Sequence, residues 1–560
     1  MNRVRLLKPA SFMMTEPLAQ SNPDTIPSQS QDFSSFLAES DGRLSHAEVI
    51  RRLFSPANHL PEPRQDKAIV VVTAGETERA VTHAHIENLV LHGVEELTAR
   101  GVRAGDKVLF YSENSPEYTS TILACWSMNA MAVLVDYRAD RADVLAIAKK
   151  LNASVLLTSK KLYTDYSFET KLFADAGIQV VDVSVLIDRK DKAFDSRLDF
   201  SSIDIDRPAF TILTSGTTGA PKTSVHTLRS LIDNIIDLAE AAHEQGEITA
   251  LTPLPISHVF GLTVFLIAQV LGAKTVLTEL EPVGFVKAVH RHKPEWIAAL
   301  PQYYGALLSA PHGFIKLENA RLLLCGGAPL TVSLADKFEE TFGKRLNNGY
   351  GSTECKLVAF NRDNGPPLSV GTPVGAIKID IVNEQDEVLP EGKLGEVRIA
   401  GSMLMDGYLD NEEESRKVLR NGFYYTGDIG RFEDGHLFVV GRKNDVVIVG
   451  GVVVRVGVVE EALRNNPEVK DVAVTAVHNR RLGQLVKASV VLVDDKIGEK
   501  LNSTNSMERL ETQRVLERRF KEFCRQHLSR YQRPMRWEFL DSHKSLPKTL
   551  AGKTDKKKIS

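Results

Sequence analysis

Residues 211–226 read TILTSGTTGAPKTSVH: a short β-branched apolar run that stops at a cluster of Thr, Ser and Gly and carries one lysine, Lys222. The apolar run predicts a strand. The glycine-punctuated turn after it offers backbone N–H groups and hydroxyls that can wrap phosphate oxygens. It is not a Walker loop, because only two residues separate Gly216 from Gly219 and Lys222 follows a proline. A flexible turn has the same composition, so this stretch alone leaves both readings open.

Upstream and downstream, short Val/Ile/Leu runs alternate with helical patterns. AIVVVTA (68–74), DKVLFYS (106–112), ASVLLTS (153–159), IQVVDVS (178–184), ITALTPL (248–254), KTVLTEL (274–280), WIAALP (296–301) and RLLLCGG (321–327) all read as buried strands. Strands without in–out alternation, separated by amphipathic helices, predict an α/β fold with mainly parallel sheets covered on both faces. After residue 365 the strands shorten and turns multiply, as in GEVRIAG (395–401) and GHLFVVGR (435–442), which predicts a β-rich subdomain finishing the large part. From about 445 a small α+β domain is expected, with a polar break at 494–506 and a helix carrying Leu516, Phe520, Phe523 and Leu528 on one face.

That last portion opens with DVVIVGGVVVRVGVVEEAL (445–463). A spanning helix needs about 20 unbroken apolar residues, and Gly450, Gly451, Arg455 and Gly457 interrupt a shorter run here. Two strands turning at Gly450-Gly451, followed by a helix, fit the β-branched composition better.

At 560 residues the chain exceeds one compact core. Its 69 Lys+Arg against 72 Asp+Glu leave a net charge of −3, which gives no electrostatic reason to expect nucleic acid or an anionic membrane as a partner. Cys125, Cys325, Cys355 and Cys524 lie far apart and form no metal-ligand pattern, so reduced thiols in a cytoplasmic protein are expected. The first forty residues are polar and rich in Ser, Gln and Pro, and read as a poorly ordered leader.

Five more segments follow the 211–226 stretch in a telling order: LPISHVFGL (254–262), CGGAPL (325–330), GYGSTE (349–354), YYTGDIGRFEDGHLFVVGRKND (424–445) and LPKTLAGK (546–553). With these, the sequence resembles the superfamily of AMP-forming adenylating enzymes, which includes acyl- and aryl-CoA synthetases, adenylation domains of peptide synthetases, and luciferases; the resemblance covers roughly 66–559. It implies a leader over 1–40, a large adenylate-forming domain over 41–443, and a small mobile domain over 444–560.

The roles it implies carry over residue by residue. Thr214, Ser215, Gly216, Thr217, Thr218, Gly219 and Lys222 would hold the β- and γ-phosphates of ATP. Gly326, Gly327 and Ala328 would approach the adenine, and Tyr350 would offer it an aromatic face. Thr353 would bind the α-phosphate, and Glu354 would bind Mg²⁺, a hard cation suited to carboxylate and phosphate oxygens. Asp428 would take both ribose hydroxyls, and Arg442 would contact ribose or phosphate. His258 stands before the acyl pocket, with Val259, Phe260, Leu262, Tyr303 and Tyr304 as its neighbours by position. Lys553, delivered by the mobile domain, would stabilise charge at the reacting centre. The implied reaction converts a small carboxylic acid and ATP to an acyl-adenylate and pyrophosphate, then passes the acyl group to CoA or a phosphopantetheine carrier.

Several positions depart from the family pattern. Ile448 stands for a lysine, Val456 for a proline and Val458 for a glutamate, while Glu460 survives; Asn444 occupies the hinge, and Thr223 replaces a glycine after Lys222. The expected face for thiol transfer is therefore unusually apolar. No aspartate near LPISHVFGL awaits a substrate ammonium, and an uncompensated ammonium in an apolar pocket is costly, which favours an acyl or aryl acid. Transfer to a carrier protein or an amine is the alternative second step. A non-catalytic nucleotide-binding protein is a further alternative, disfavoured by the retention of Glu354, Asp428, Arg442 and Lys553.

Overall fold

The computed structural model describes residues 44–560 apart from 57–66, 73–77, 160–161, 163–169, 187–197, 215–221, 243–247, 363–364, 480, 541–545, 548–558 and 560. The expected leader, the loop residues Ser215, Gly216, Thr217, Thr218 and Gly219, and Lys553 all lie outside the described residues.

The apolar runs assemble into two large sheets. One has seven strands in the order Gly407–Tyr408, Lys222–Thr227, Pro208–Thr214, Met131–Leu134, Lys107–Tyr111, Val155–Thr158 and Gln179–Asp182. The last five pair in parallel, and the first two add antiparallel at one edge. The other sheet has nine strands, with Leu322–Cys325, Trp296–Ala299, Thr249–Thr252, Lys274–Thr278 and Lys67–Val72 running parallel through its middle. Asn347–Ser352 joins this block in parallel, and antiparallel strands finish both edges. The strands Met131–Leu134, Val155–Thr158 and Trp296–Ala299 are buried along their whole length, as expected for strands covered on both faces.

A third, five-stranded sheet contains Lys378–Val382, Gly395–Ala400, Phe423–Glu433 and His436–Arg442, and corresponds to the expected β-rich subdomain.

The valine-rich stretch forms a hairpin. Strands Val446–Val449 and Val452–Arg455 pair antiparallel, and Gly450 and Gly451 turn between them with φ of +58° and +85°. Positive φ at both central residues is the two-residue turn that matches strand twist, and it is open to glycine without steric cost. Val447, Val449, Val454, Val456 and Val459 enter a core of their own with Leu463, Leu516 and Phe520, whereas Val452 and Val458 are exposed. Glu460 is buried on the helix Val456–Arg464 and accepts the Val474 N–H at 2.9 Å, tying that helix to the strand Val469–Asn479. One expectation fails here: the polar stretch after residue 494 is not a plain break, because Asp495–Leu501 forms a helix ahead of the long helix Ser506–His527. Among the described residues no helix is long and apolar enough to cross a membrane. All four cysteines are free and buried.

Candidate active site

In open parallel sheets, ligands gather beyond the carboxyl ends of the strands. Four of the motif segments singled out above, 211–226, 254–262, 325–330 and 349–354, leave such an end. Thr214 ends one parallel strand, and Gly326 follows Cys325 at the end of another. Thr353 and Glu354 follow Ser352, and the 254–262 segment follows Thr252. Asn114, beyond the strand Lys107–Tyr111, ties the two sheets together at these ends: its amide donates to Leu254 O at 2.8 Å and its carbonyl accepts the Ile256 N–H at 2.9 Å.

Tyr350, Asp428 and Arg442 meet. Tyr350 is buried, and its hydroxyl donates to Asp428 Oδ2 at 2.7 Å; Arg442 Nε lies 2.8 Å from Asp428 Oδ1. Asp428 and Arg442 face each other in the antiparallel register of their strands, so backbone pairing brings together side chains that are fourteen residues apart only in sequence. Arg442 also donates to Thr426 O at 2.9 Å. Burial raises the Asp428 pKa, and the Arg442 charge opposes that only in part. Each carboxylate oxygen keeps a lone pair beyond these contacts and can accept a ligand hydroxyl.

Glu354 is buried, and its Oε1 accepts a hydrogen bond from the Tyr408 hydroxyl at 2.8 Å. Among the described residues no group of three or more His, Cys, Asp and Glu side chains is placed to hold a metal by itself. A single carboxylate does fit Mg²⁺, which keeps several waters and takes its remaining oxygens from bound phosphates.

Gly326 and Gly327 have a reason beyond a close ligand. A Cβ on Gly327, at φ +74°, would sit 2.7 Å from Leu300 Cδ2, and one on Gly326 would press on the Phe260 ring at 3.3 Å. Gly327 and Ala328 themselves are exposed. Of the expected acyl-pocket neighbours, Val259, Leu262, Tyr303 and Tyr304 are buried, and the Tyr304 hydroxyl is spent on Ile297 O and Leu324 O. Phe260 keeps partial exposure.

His258 occupies the N-cap position of the helix Val259–Val270 without a side-chain cap hydrogen bond, and its Nε2 lies 2.8 Å from Asp136 Oδ2. Burial works to raise the Asp136 pKa, yet hydrogen bonds from Arg138 and His258 outweigh it and hold the carboxyl below the usual range. The partner of His258 carries no signal in the sequence, because Asp136 is a lone acid after a strand.

Sequence reasoning also missed Lys356. It sits in the left-handed region at φ +60° and is fully buried beside Glu354. Its ammonium reaches Met403 O at 2.6 Å, Ser230 Oγ at 3.0 Å and His226 Nδ1 at 3.1 Å, and His226 Nε2 lies 3.0 Å from Ser224 Oγ, which donates to Ile212 O. Burial pushes the Lys356 pKa down to about 7, with Cys355, Asp406 and Asp233 opposing. Burial and the Lys356 charge push His226 well below its ordinary value, so it is neutral and can accept from the ammonium. The sign of the stability effect follows. Below the folded pKa both states hold the proton and the burial penalty is complete. Between about 7 and the ordinary lysine value the unfolded chain binds more protons, so stability rises with pH. Melting curves from pH 6 to 9 are therefore expected to show the wild type gaining on Lys356→Met, and a pH-independent difference would contradict this assignment.

Residues 60–409 match the AMP-binding enzyme family, and residues 458–553 match the AMP-binding enzyme C-terminal domain. A feruloyl-CoA synthase of Amycolatopsis sp is 28% identical over 482 residues, covering 85% of this chain and 92% of that protein. A long-chain-fatty-acid–CoA ligase of Bacillus subtilis is 32% identical over 356 residues, covering 62% of this chain and 60% of its own. The fold is similar to that of o-succinylbenzoate-CoA synthetase from Bacillus subtilis in complex with its acyl-adenylate intermediate, with a TM-score of 0.67 and 23% identity over 92% of this chain and 98% of that one. ATP-bound MatB from Rhodopseudomonas palustris superposes with a TM-score of 0.66 and 22% identity over the same shares of both chains. With its two large sheets, four motif segments at the carboxyl ends of their strands and these matches, the chain belongs to the AMP-binding enzyme family of AMP-forming adenylating enzymes.

Proposed function

We propose that this protein activates an acyl or aryl carboxylic acid with ATP, forming an acyl-adenylate and releasing pyrophosphate, and then transfers the acyl group to the thiol of CoA. The observation that carries the reading is the buried Asp428, held between Tyr350 and Arg442 with lone pairs left for two ribose hydroxyls. Thr353 and Glu354 stand three and four residues beyond Tyr350, next to where an α-phosphate would lie. Thr214 and Lys222, Cα partners in their antiparallel strand pair, would frame the β- and γ-phosphates together with Ser215, Gly216, Thr217, Thr218 and Gly219.

In the first step the substrate carboxylate attacks the α-phosphorus, a P–O bond forms, and pyrophosphate leaves. His258, paired with Asp136 at 2.8 Å, would stand at the entrance for the acid. Lys553 would place its ammonium against the charge that builds on the oxygens in flight. Glu354 would hold Mg²⁺, which when bound would supply charge neutralisation for the polyphosphate. In the second step a thiolate attacks the acyl carbon and AMP departs. The lobe beyond residue 443 would turn about Asn444 between the two steps and bring up the Gly450–Gly451 hairpin. The relatives that act on feruloyl and fatty acyl groups support the acid class.

The test is product analysis with ATP and a panel of aryl, fatty and amino acids, offered CoA in one arm and a phosphopantetheine-loaded carrier protein in the other. Acyl-CoA from an aryl or fatty acid is the expected product. Acyl-carrier thioester without acyl-CoA would transfer the second step to the carrier, and the apolar hairpin at Ile448, Val452 and Val453 favours testing that arm.

A further inference from the structure

Lys222 is already in the grip of an anion. Its Nζ lies 2.5 Å from Glu414 Oε2, over the ring of Tyr408 at 4.9 Å from the centroid. The other Glu414 oxygen, Oε1, lies 2.7 Å from Lys417 Nζ. Tyr408 in turn donates to Glu354. The ion pair thus joins two parts of the site, the start of the strand Lys222–Thr227 and the Glu354 carboxylate, through residues 192 positions apart in the chain.

Glu414 sits in the first turn of the helix Glu412–Val418, whose cap is independent of the carboxylate: Asn411 Oδ1 accepts the Glu414 N–H. Its side chain is therefore not needed to start the helix. Hydrogen bonds from Lys222 and then Lys417 hold its pKa down at about 2, so it stays ionised at any working pH. The side chains of Lys222 and Glu414 are 21% and 31% exposed, within reach of a ligand from solvent. A polyphosphate claiming Lys222 would meet a fixed carboxylate of the same sign at contact distance, and like charges there oppose binding.

We infer that Glu414 is a resident counter-ion of Lys222 that competes with the nucleotide polyphosphate and so sets the affinity for ATP. The inference rests on the proposed role of Lys222 in phosphate binding. On arrival of ATP the Lys222–Glu414 contact opens, Lys222 turns to the phosphate, and Glu414 remains neutralised by Lys417. No bond is made or broken covalently. Glu414 is a positioning residue that acts through Lys222, and its signature is a shift in the KM for ATP with little change in kcat.

Acid-dependent pyrophosphate exchange measured against ATP concentration tests this in Glu414→Gln, Lys417→Ala, the double variant and Lys222→Ala, each with its melting temperature recorded. Glu414→Gln should lower the KM for ATP by about three- to fivefold, the range of a partly exposed ion pair. Its kcat should change by less than about twofold. The gain should shrink at high salt, as screening weakens the competing pair. Lys417→Ala should raise the KM, and most of that rise should vanish in the Glu414→Gln background, because Lys417 acts through the carboxylate. An unchanged or raised KM in Glu414→Gln, with Lys222→Ala still impairing ATP use, overturns the inference alone. Lys222→Ala without effect overturns the phosphate role of Lys222 and this inference with it.

Discussion

Lys553→Ala is expected to lower acid-dependent pyrophosphate exchange by about 10²- to 10³-fold, the scale for losing a group that stabilises charge only in the transition state. ATP binding, followed by nucleotide titration, should be nearly unchanged, because the ground-state nucleotide is gripped by other residues. The competing view of Lys553 is a solvated member of the basic run GKTDKKKIS. Two neighbouring substitutions separate the views: Lys556→Ala and Lys557→Ala remove the same charge a few residues away and should leave exchange intact. Equal losses in all three variants would mean that the tail acts by bulk charge. Unchanged exchange in Lys553→Ala would remove it from the mechanism.

Asp428→Ala should have the next largest effect, and it should act on binding. The carboxylate accepts from the Tyr350 hydroxyl and pairs with Arg442, and the proposed ribose contacts add two more charge-assisted hydrogen bonds. Its removal should raise the KM for ATP by about 100-fold, since each hydrogen bond to a charged group is worth about 1.5–3 kcal/mol and partial solvation recovers some of that. Stability should fall as well, by about 2 kcal/mol in urea unfolding, because the buried Tyr350 hydroxyl loses its acceptor. Tyr350→Phe removes the same hydrogen bond from the other side. It should reproduce a smaller part of the stability loss and little of the nucleotide effect, which would assign the nucleotide effect to the carboxylate itself.

Much of the fold was legible because burial on both faces writes itself as unbroken apolar runs. AIVVVTA, DKVLFYS and WIAALP became strands where those runs stand. The helix Asp495–Leu501 was not legible: its sequence, DKIGEKL, is polar and contains a glycine, and the apolar contacts of Ile497 and Leu501 come from the neighbouring core. The site divides along the same line. Motif residues on strands, such as Tyr350, Asp428 and Arg442, were found through the order of their motifs, and the fold brings these three into contact. Residues whose meaning lies in a distant partner were missed. Asp136 meets His258 across 122 positions, Lys356 meets His226 across 130, and Glu414 meets Lys222 across 192. A lone Asp, a lysine inside CKLVAF and one glutamate among three look like solvated charges until topology supplies the other half of each pair.

The central claim is that this site makes an acyl-adenylate, and ATP–pyrophosphate exchange with labelled pyrophosphate measures that step without any thiol acceptor. Across a panel of aryl and fatty acids, exchange should depend on the acid, fall by about 10²- to 10³-fold in Lys553→Ala, and reach half-maximal rate only at much higher ATP in Asp428→Ala. Exchange that is absent with every acid, in folded protein that still binds ATP, would contradict it and leave a nucleotide-binding protein without adenylating activity.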